Sequence, residues 1–292
     1  MTSSIVTIFT PTFNRCHLLG RLYESLRNQT CKEFEWVIID DGSTDNTESF
    51  VKSFLNKANP FQITYKKKEN GGKHRAINDG VRIAKGKLFF IVDSDDYLTE
   101  NAVEKIISYE KTLDNSHKWA GVSGLKGFSK TKIVGQTHYK DYFVDAKNNE
   151  RLKYNLLGDK AEVYFTDVLK KYPFPEFDNE KFVTEETIWN AIAIDDYYIR
   201  WFNDIIYICD YLDDGLTKNI FFHYKNSPKG VLYWRKIQLK AFPNDPIVWK
   251  KTFLRYYDIR KGIVSRAQIA KEMGMSYYKL LFFLIAIKIG FK

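Results

Sequence analysis

Cysteine is scarce in this chain, and its most apolar stretch falls short of a membrane span. The 292 residues include three cysteines, Cys16, Cys31 and Cys209. They are scattered, odd in number and in no metal-ligand spacing, which excludes a disulfide framework and a Cys/His zinc site and points to a reducing compartment. Between Lys279 and Lys288 only eight uncharged residues run from Leu280 to Ile287, where a spanning helix needs about twenty. Repeats and low-complexity tracts are missing. With 44% hydrophobic and 28% charged residues, so is the composition of a disordered chain. The opening MTSSIVTIFTPTF lacks the basic start of a secretory leader and reads as the first strand of a domain.

Charge is plentiful but uneven. The net charge is +9, and from Lys218 to Lys292 there are 16 Lys/Arg against 3 Asp/Glu. The preceding 217 residues carry 29 against 33, so a mildly acidic body precedes a strongly basic tail. Such a tail meets an anionic partner, a nucleic acid or a membrane surface, or is a solvated helical surface. Its last stretch, YYKLLFFLIAIKIGFK, suits either buried helix packing or an interfacial helix on anionic lipid. The expectation is peripheral membrane contact through residues 275–292, at the cytoplasmic face.

The first hundred residues alternate strand and helix with short connections, which implies right-handed βαβ units and a mainly parallel sheet. SIVTIFTPTF, FEWVIIDDGS, ITYKKK and KLFFIVDSDD read as strands, with VII (37–39) and FFIV as central ones. HLLGRLYESLRNQ, DNTESFVKSFLNK (capped by Asp45), HRAINDGVRIAKG (closed by Gly86) and TENAVEKIISYEKTLD (capped by Thr99) read as helices. Further on, WAGVSGLKGF and AEVYFTDVL read as strands and EETIWNAIAID as a helix. YYIRWF and IIYICDYL read as two more strands, and helices follow Asp214. The fold class is α/β: a Rossmann-like domain over 1–215 with a mostly parallel central sheet, then a basic, mostly helical extension over 216–292.

Ligands of open parallel sheets bind outside the carboxyl ends of the strands. Two acidic clusters fall there, Asp40-Asp41 after WVII and Asp93, Asp95 and Asp96 after FFIV. Crowded carboxylates repel unless something positive lies among them. Carboxylates with open positions suit Mg²⁺ or Mn²⁺, which take one or two protein carboxylates together with substrate phosphates. ENGGKHRAINDG adds a glycine-bearing loop at a helix N-terminus, a favourable place for phosphate. It has neither the Walker spacing nor the dinucleotide fingerprint.

PTFNR (Pro11–Arg15), DDGSTD (Asp40–Asp45), NGGKHRAINDG (Asn70–Gly80) and VDSDD (Val92–Asp96) together resemble, in order and spacing, the family-two inverting nucleotide-sugar glycosyltransferases with the GT-A fold. The likeness is strong over residues 4–125 and looser to about 215. It implies a nucleotide-sugar donor, UDP by the family's habit. Thr10 and Pro11 would line the nucleoside pocket beside Asn14 and Arg15, and Asp41 would accept the uracil imide N–H. Asp40 would be a turn cap and Asn78 structural. Lys73 and Arg75 would reach base or phosphate. Asp93 and Ser94 would hold the ribose, and Asp95 would bind Mn²⁺ or Mg²⁺ with Asp93 and Asp96 in support. A late contact would come from His223 or Lys229.

The resemblance also implies a carboxylate base at a helix start. Spacing to Trp189 selects Glu185, and a literal reading of the family's Glu-Asp pair selects Glu186. The acceptor would be a hydroxyl of a glycan or lipid-linked glycan, in surface polysaccharide synthesis. Rival readings are a sugar-phosphate nucleotidyltransferase, whose glycine-rich opening is missing, and a nucleic-acid-binding protein, for which no recognition motif is present. No nucleic-acid partner is expected.

Overall fold

The computed structural model describes residues 5–137, 141–210 and 219–289. The first part runs β1 (Val6–Thr12), α1 (Cys16–Arg27), β2 (Phe34–Asp40), α2 (Thr47–Leu55), β3 (Gln62–Lys67), α3 (Lys73–Ile83) and β4 (Leu88–Ile91). Next come β5 (Tyr97–Leu98), α4 (Ala102–Glu110), β6 (Lys118–Gly127), β7 (Phe143–Ala146), β8 (Lys160–Phe165), α5 (Thr166–Leu169), α6 (Glu186–Ile194) and β9 (Tyr197–Ile208). The chain then turns helical: α7 (Ile220–Lys225), α8 (Pro228–Ala241), α9 (Pro246–Arg260), α10 (Arg266–Glu272) and α11 (Tyr277–Lys288).

Among the described residues the strands form one nine-stranded sheet, ordered β3-β2-β1-β4-β8-β6-β9-β5, with β7 on β9. The β3-β2-β1-β4 half is parallel throughout. The other half is mixed: β8 runs antiparallel to β4 and β6, and β9 is parallel to β6. Every residue of β1 and β2 is buried, as expected for β-branched and aromatic strands covered on both faces. Helix α1 buries Leu19, Leu22, Tyr23 and Leu26 at three- and four-residue spacing, the stripe that seats a helix on a sheet.

Several local expectations change. Helix α4 begins at Ala102, too late for Thr99 to cap it; the Gln29 side chain instead accepts the Val103 N–H (3.1 Å) and donates to the Thr99 carbonyl (2.7 Å). Helix α3 ends at Ile83, and Gly86 is a packing residue, since a Cβ there would lie 2.4 Å from the Thr7 nitrogen. TDVL leaves strand β8 to form α5, because the Thr166 hydroxyl and amide bind the carbonyls of Gly86 (2.6 Å) and Lys87 (2.9 Å). The two strands expected over 197–212 are one continuous β9, whose expected end at Tyr211–Leu212 lies outside the described residues. The two-residue β5 and the four-residue β7 are too short to show a period in the sequence.

The chain divides into two compact units, and the division is not a single cut. One unit holds the sheet, from the start of the chain to Phe174 and again from Ile192; the other joins Pro175–Ala191 to the helices after residue 218. The segment carrying Glu185 and Glu186 therefore packs with the helical unit rather than within an uninterrupted 1–215 domain. In the helical unit Trp234, Phe253, Tyr256, Ile259, Ile269 and Leu280 form a core of their own. Asp245, Ser265 and Ser276 cap α9, α10 and α11. Pro228 and Pro246 open α8 and α9, where the missing N–H costs nothing.

Candidate nucleotide and metal site

The order β2-β1-β4 brings the carboxyl ends of three adjacent parallel strands to one edge, with Thr12 in register with Asp40. Asp40 is a turn cap: its Oδ1 accepts the Ser43 amide (2.7 Å) and its Oδ2 the Tyr65 hydroxyl (2.6 Å). Burial, then the neighbouring Asp40, pushes the Tyr65 phenol well above its usual range. Asn14 ties the same turn to β1. It takes a left-handed backbone (φ 53°), accepts the Thr44 amide at 2.8 Å, and donates its own amide to Ser43 Oγ at 2.9 Å. Asp45 accepts the Thr47 amide (3.0 Å) at the start of α2.

Asp41 joins the first acidic turn to the glycine loop. Its carboxylate accepts the amides of Gly71 (2.9 Å) and Gly72 (2.7 Å) and faces Lys68 Nζ at 3.1 Å. Gly72 has φ 95°, a conformation open to glycine and costly for other residues, and it hands the chain into α3. The first turn of α3 carries Lys73 and Arg75. Asn78 is structural: its amide group bridges both backbone groups of Phe174, at 2.9 Å each.

Lys73 Nζ lies 2.6 Å from Asp93 Oδ1, so a cation already stands at the second acidic turn. A second is Lys126 on β6, with Nζ 4.2 Å from the centre of the Tyr207 ring. Burial works to discharge Lys126, but Asp93 and Asp96 outweigh it and raise its pKa. Burial likewise raises Asp93, and Lys73 and Lys126 overcome it, leaving that carboxyl below its usual range. Asp95 is raised by burial and by Asp93, and Asp96 is raised to about 7 by the same two causes.

Tyr207 on β9 ties this turn together, accepting the Asp93 amide (3.0 Å) and donating to Asp96 Oδ2 (2.6 Å). Asp96 Oδ1 accepts the Asp210 amide at 3.3 Å. Arg21 of α1 pairs with Asp210 at 2.9 Å, donates to the Asp95 carbonyl and lies 4.7 Å over the Tyr97 ring.

The edge thus gathers Pro11, Asn14, Arg15, Asp41, Lys73, Arg75, Asp93, Ser94, Asp95 and Asp96. Thr10 differs from expectation. It is fully buried and its hydroxyl accepts the Trp36 indole N–H at 2.9 Å, so it is a core residue beneath the edge rather than a wall of the pocket. Lys68, Lys126, Tyr207 and Arg21 escaped the sequence reading. Thr12 escaped it too; its buried hydroxyl has no partner among the described residues. The signal for Tyr207 is faint: β9 also carries Tyr197, Tyr198, Arg200, Asn203 and Asp204, and nothing local sets this tyrosine apart.

For a divalent ion the donor set fits one arrangement better than another. Among the described residues no three His, Cys, Asp or Glu side chains converge to hold a metal. Asp93 is paired with Lys73, and both Asp96 oxygens accept hydrogen bonds. The residues therefore fit an ion held mainly by Asp95 with substrate oxygens completing its shell, and not a cage of all three aspartates.

In the helical unit, Glu185 immediately precedes α6, and its carbonyl accepts the Ile188 and Trp189 amides. Glu186 opens the helix and accepts the Trp234 indole N–H at 3.0 Å. His223 lies in α7 with its ring 5.4 Å from that of Phe182, and burial lowers its pKa. This is a packed aromatic environment. Lys229 is exposed in the first turn of α8, whose N-terminus already holds the Glu180 carboxylate on the amides of Lys229 and Gly230, both at 2.9 Å.

A parallel half-sheet ending in acidic turns and continued by mixed strands is the GT-A arrangement. It is shared with the Staphylococcus aureus TarS 1–349 structure in complex with UDP-GlcNAc (TM-score 0.66, 20% identity, 92% of this chain and 79% of that one). Within that class the chain belongs to glycosyl transferase family 2, whose model matches residues 7–172. A relative similar along nearly the whole chain is the GalNAc(5)-diNAcBac-PP-undecaprenol beta-1,3-glucosyltransferase of Campylobacter jejuni, 28% identical over 98% of this chain and 89% of its own length. A mannosyltransferase from Pyrobaculum calidifontis, solved with GDP-Man and Mn²⁺, shares the fold (TM-score 0.58, 15% identity, 97% and 75% coverage). Several other curated relatives are matched over only 34% to 37% of their own length.

Proposed function

We propose that the chain is an inverting glycosyltransferase that moves a sugar from a nucleoside-diphosphate donor, a UDP-sugar, to a hydroxyl of a glycan or lipid-linked glycan in surface polysaccharide synthesis, at the cytoplasmic face of the membrane. The carrying observation is the single sheet edge on which Asp41, the α3 N-terminus and the Asp93–Asp96 turn meet, with Lys73 between the last two. Family membership and the relatives' nucleotide-sugar chemistry support the reading.

In this reading Asp41 accepts the base N–H beside Pro11, Asn14 and Arg15. Asp93 and Ser94 hold the ribose, and Lys73 and Arg75 meet the diphosphate. Asp95 would hold Mn²⁺ or Mg²⁺, with Asp93 and Asp96 shaping the turn around it, and the ion when bound would offset charge on the departing diphosphate. Glu185 takes the acceptor proton as the hydroxyl oxygen forms its bond to the anomeric carbon and the bond to the diphosphate breaks, which inverts that centre. The Trp234 hold on Glu186 favours Glu185 for this role.

The test is thermal denaturation with UDP, GDP, CDP and dTDP, each with and without Mn²⁺, on the wild type and Asp95→Ala. A metal-dependent rise with UDP, lost in the variant, is expected, because a ligand of the native state raises the midpoint by mass action. No rise with any nucleotide would overturn the donor site.

A further inference from the structure

Helix α11 is apolar on both of its sides, and one side is uncovered. Leu280, Phe283, Leu284 and Ile287 pack into the helical unit's core, with Phe283 4.2 Å from Trp249. At 100° per residue, Tyr278, Phe282, Ile285 and Ile289 fall on the opposite side. All four are exposed, at 80%, 65%, 59% and 68%. A helix apolar all round belongs in an apolar medium on every side, so this stripe calls for a partner.

Charge decides which partner. Lys279 and Lys288 flank the stripe, one on either side of it by the same helical angles. Of the acids after residue 218, Asp258 pairs with Lys261 (2.6 Å), Glu272 with Arg260 (2.7 Å), and Asp245 caps α9. Their charge is spent locally, and residues 219–289 carry 14 Lys/Arg against these 3 acids, so this stretch of helices is strongly basic. A second copy docking through the same stripe would set lysines against lysines. An anionic lipid surface accepts both features, the apolar stripe entering the acyl boundary and the lysines meeting the headgroups. Among the described residues no helix is long and apolar enough to cross a membrane, so contact is along the helix.

We infer that the outer face of α11, Tyr278, Phe282, Ile285 and Ile289 with Lys279 and Lys288, docks the protein on an anionic lipid surface. The last three residues of the expected 275–292 segment lie outside the described residues. Deleting the whole segment would strip Leu280 from the core, so the test uses outward substitutions. Wild type, Phe282→Ser/Ile285→Ser and Lys279→Glu/Lys288→Glu are floated with vesicles of phosphatidylglycerol and phosphatidylcholine, and with phosphatidylcholine alone.

The wild type is expected on the anionic vesicles, with partitioning lower by roughly tenfold or more in each double variant, and circular dichroism and melting unchanged. Equal flotation of the serine variant, or of the wild type on neutral vesicles, overturns the inference. So does light scattering that shows a wild-type dimer broken by the same serines without vesicle binding. These readouts do not depend on the sugar donor, so they stand or fall apart from the proposed reaction.

Discussion

The sheet unit and the helical unit solve opposite electrostatic problems. The first concentrates carboxylates at a strand edge and holds them with fixed partners: backbone amides on Asp41, Lys73 on Asp93, and Tyr207 on Asp96. The second concentrates cations on its helices after residue 218, where its three acids form one cap and two local pairs. An acidic turn at the end of a buried strand has to be organised before a ligand arrives. A basic helical surface needs only solvent until its partner does.

The largest break in that comparison is expected at the proposed base. Glu185→Gln is expected to lower kcat by about 10²–10⁴-fold with the melting temperature unchanged, as removal of a general base does. Glu186→Gln, which keeps an acceptor for the Trp234 indole, should stay within a few-fold. Steady-state turnover of a UDP-sugar separates them, and the opposite ranking would move the base to Glu186.

Next comes Leu280→Ala, on the packed side of α11. It should destabilise the protein by roughly 2–5 kcal/mol through lost burial and the cavity left behind, measured by urea denaturation. Asp41→Asn leaves one acceptor oxygen where two glycine amides and Lys68 converge. A cost of about 1–3 kcal/mol is expected, together with loss of the nucleotide-induced thermal shift.

Tyr207→Phe removes the hydroxyl shared by the Asp93 amide and Asp96. It should cost about 1 kcal/mol, measured by urea denaturation. The smallest effect is expected for Phe282→Ser on the uncovered side of α11, within about 0.5 kcal/mol. A larger loss there would mean that the stripe is covered.

Much of this was legible in the sequence, because the parallel half-sheet is built from local βαβ units whose strands are fully buried runs. The place of Asp41, Asp93 and Asp95 at the strand edge could be read because the acids directly follow apolar strand runs in the sequence. The second half was harder to read. β7 and β5 join β9 across long sequence separations, and no local pattern encodes such pairings. Thr10 was misplaced because strand alternation carries its side chain toward Trp36 and the core. Lys126 and Tyr207 were invisible for a related reason: each acts on the DSDD turn from a strand distant in sequence.

The grip of Asp41 on the glycine loop has a bearing on which nucleobase suits the edge. An ionised carboxylate offers about four lone-pair positions, and the Gly71 and Gly72 amides and Lys68 occupy three. A pyrimidine imide brings one N–H, which the remaining position can accept with the loop intact. Guanine presents two adjacent N–H groups, and satisfying both would mean releasing a glycine amide or the lysine. If Asp41 meets the base as proposed, a carboxylate that is already mostly engaged counts the hydrogens of its visitor, and the count would favour uracil over guanine.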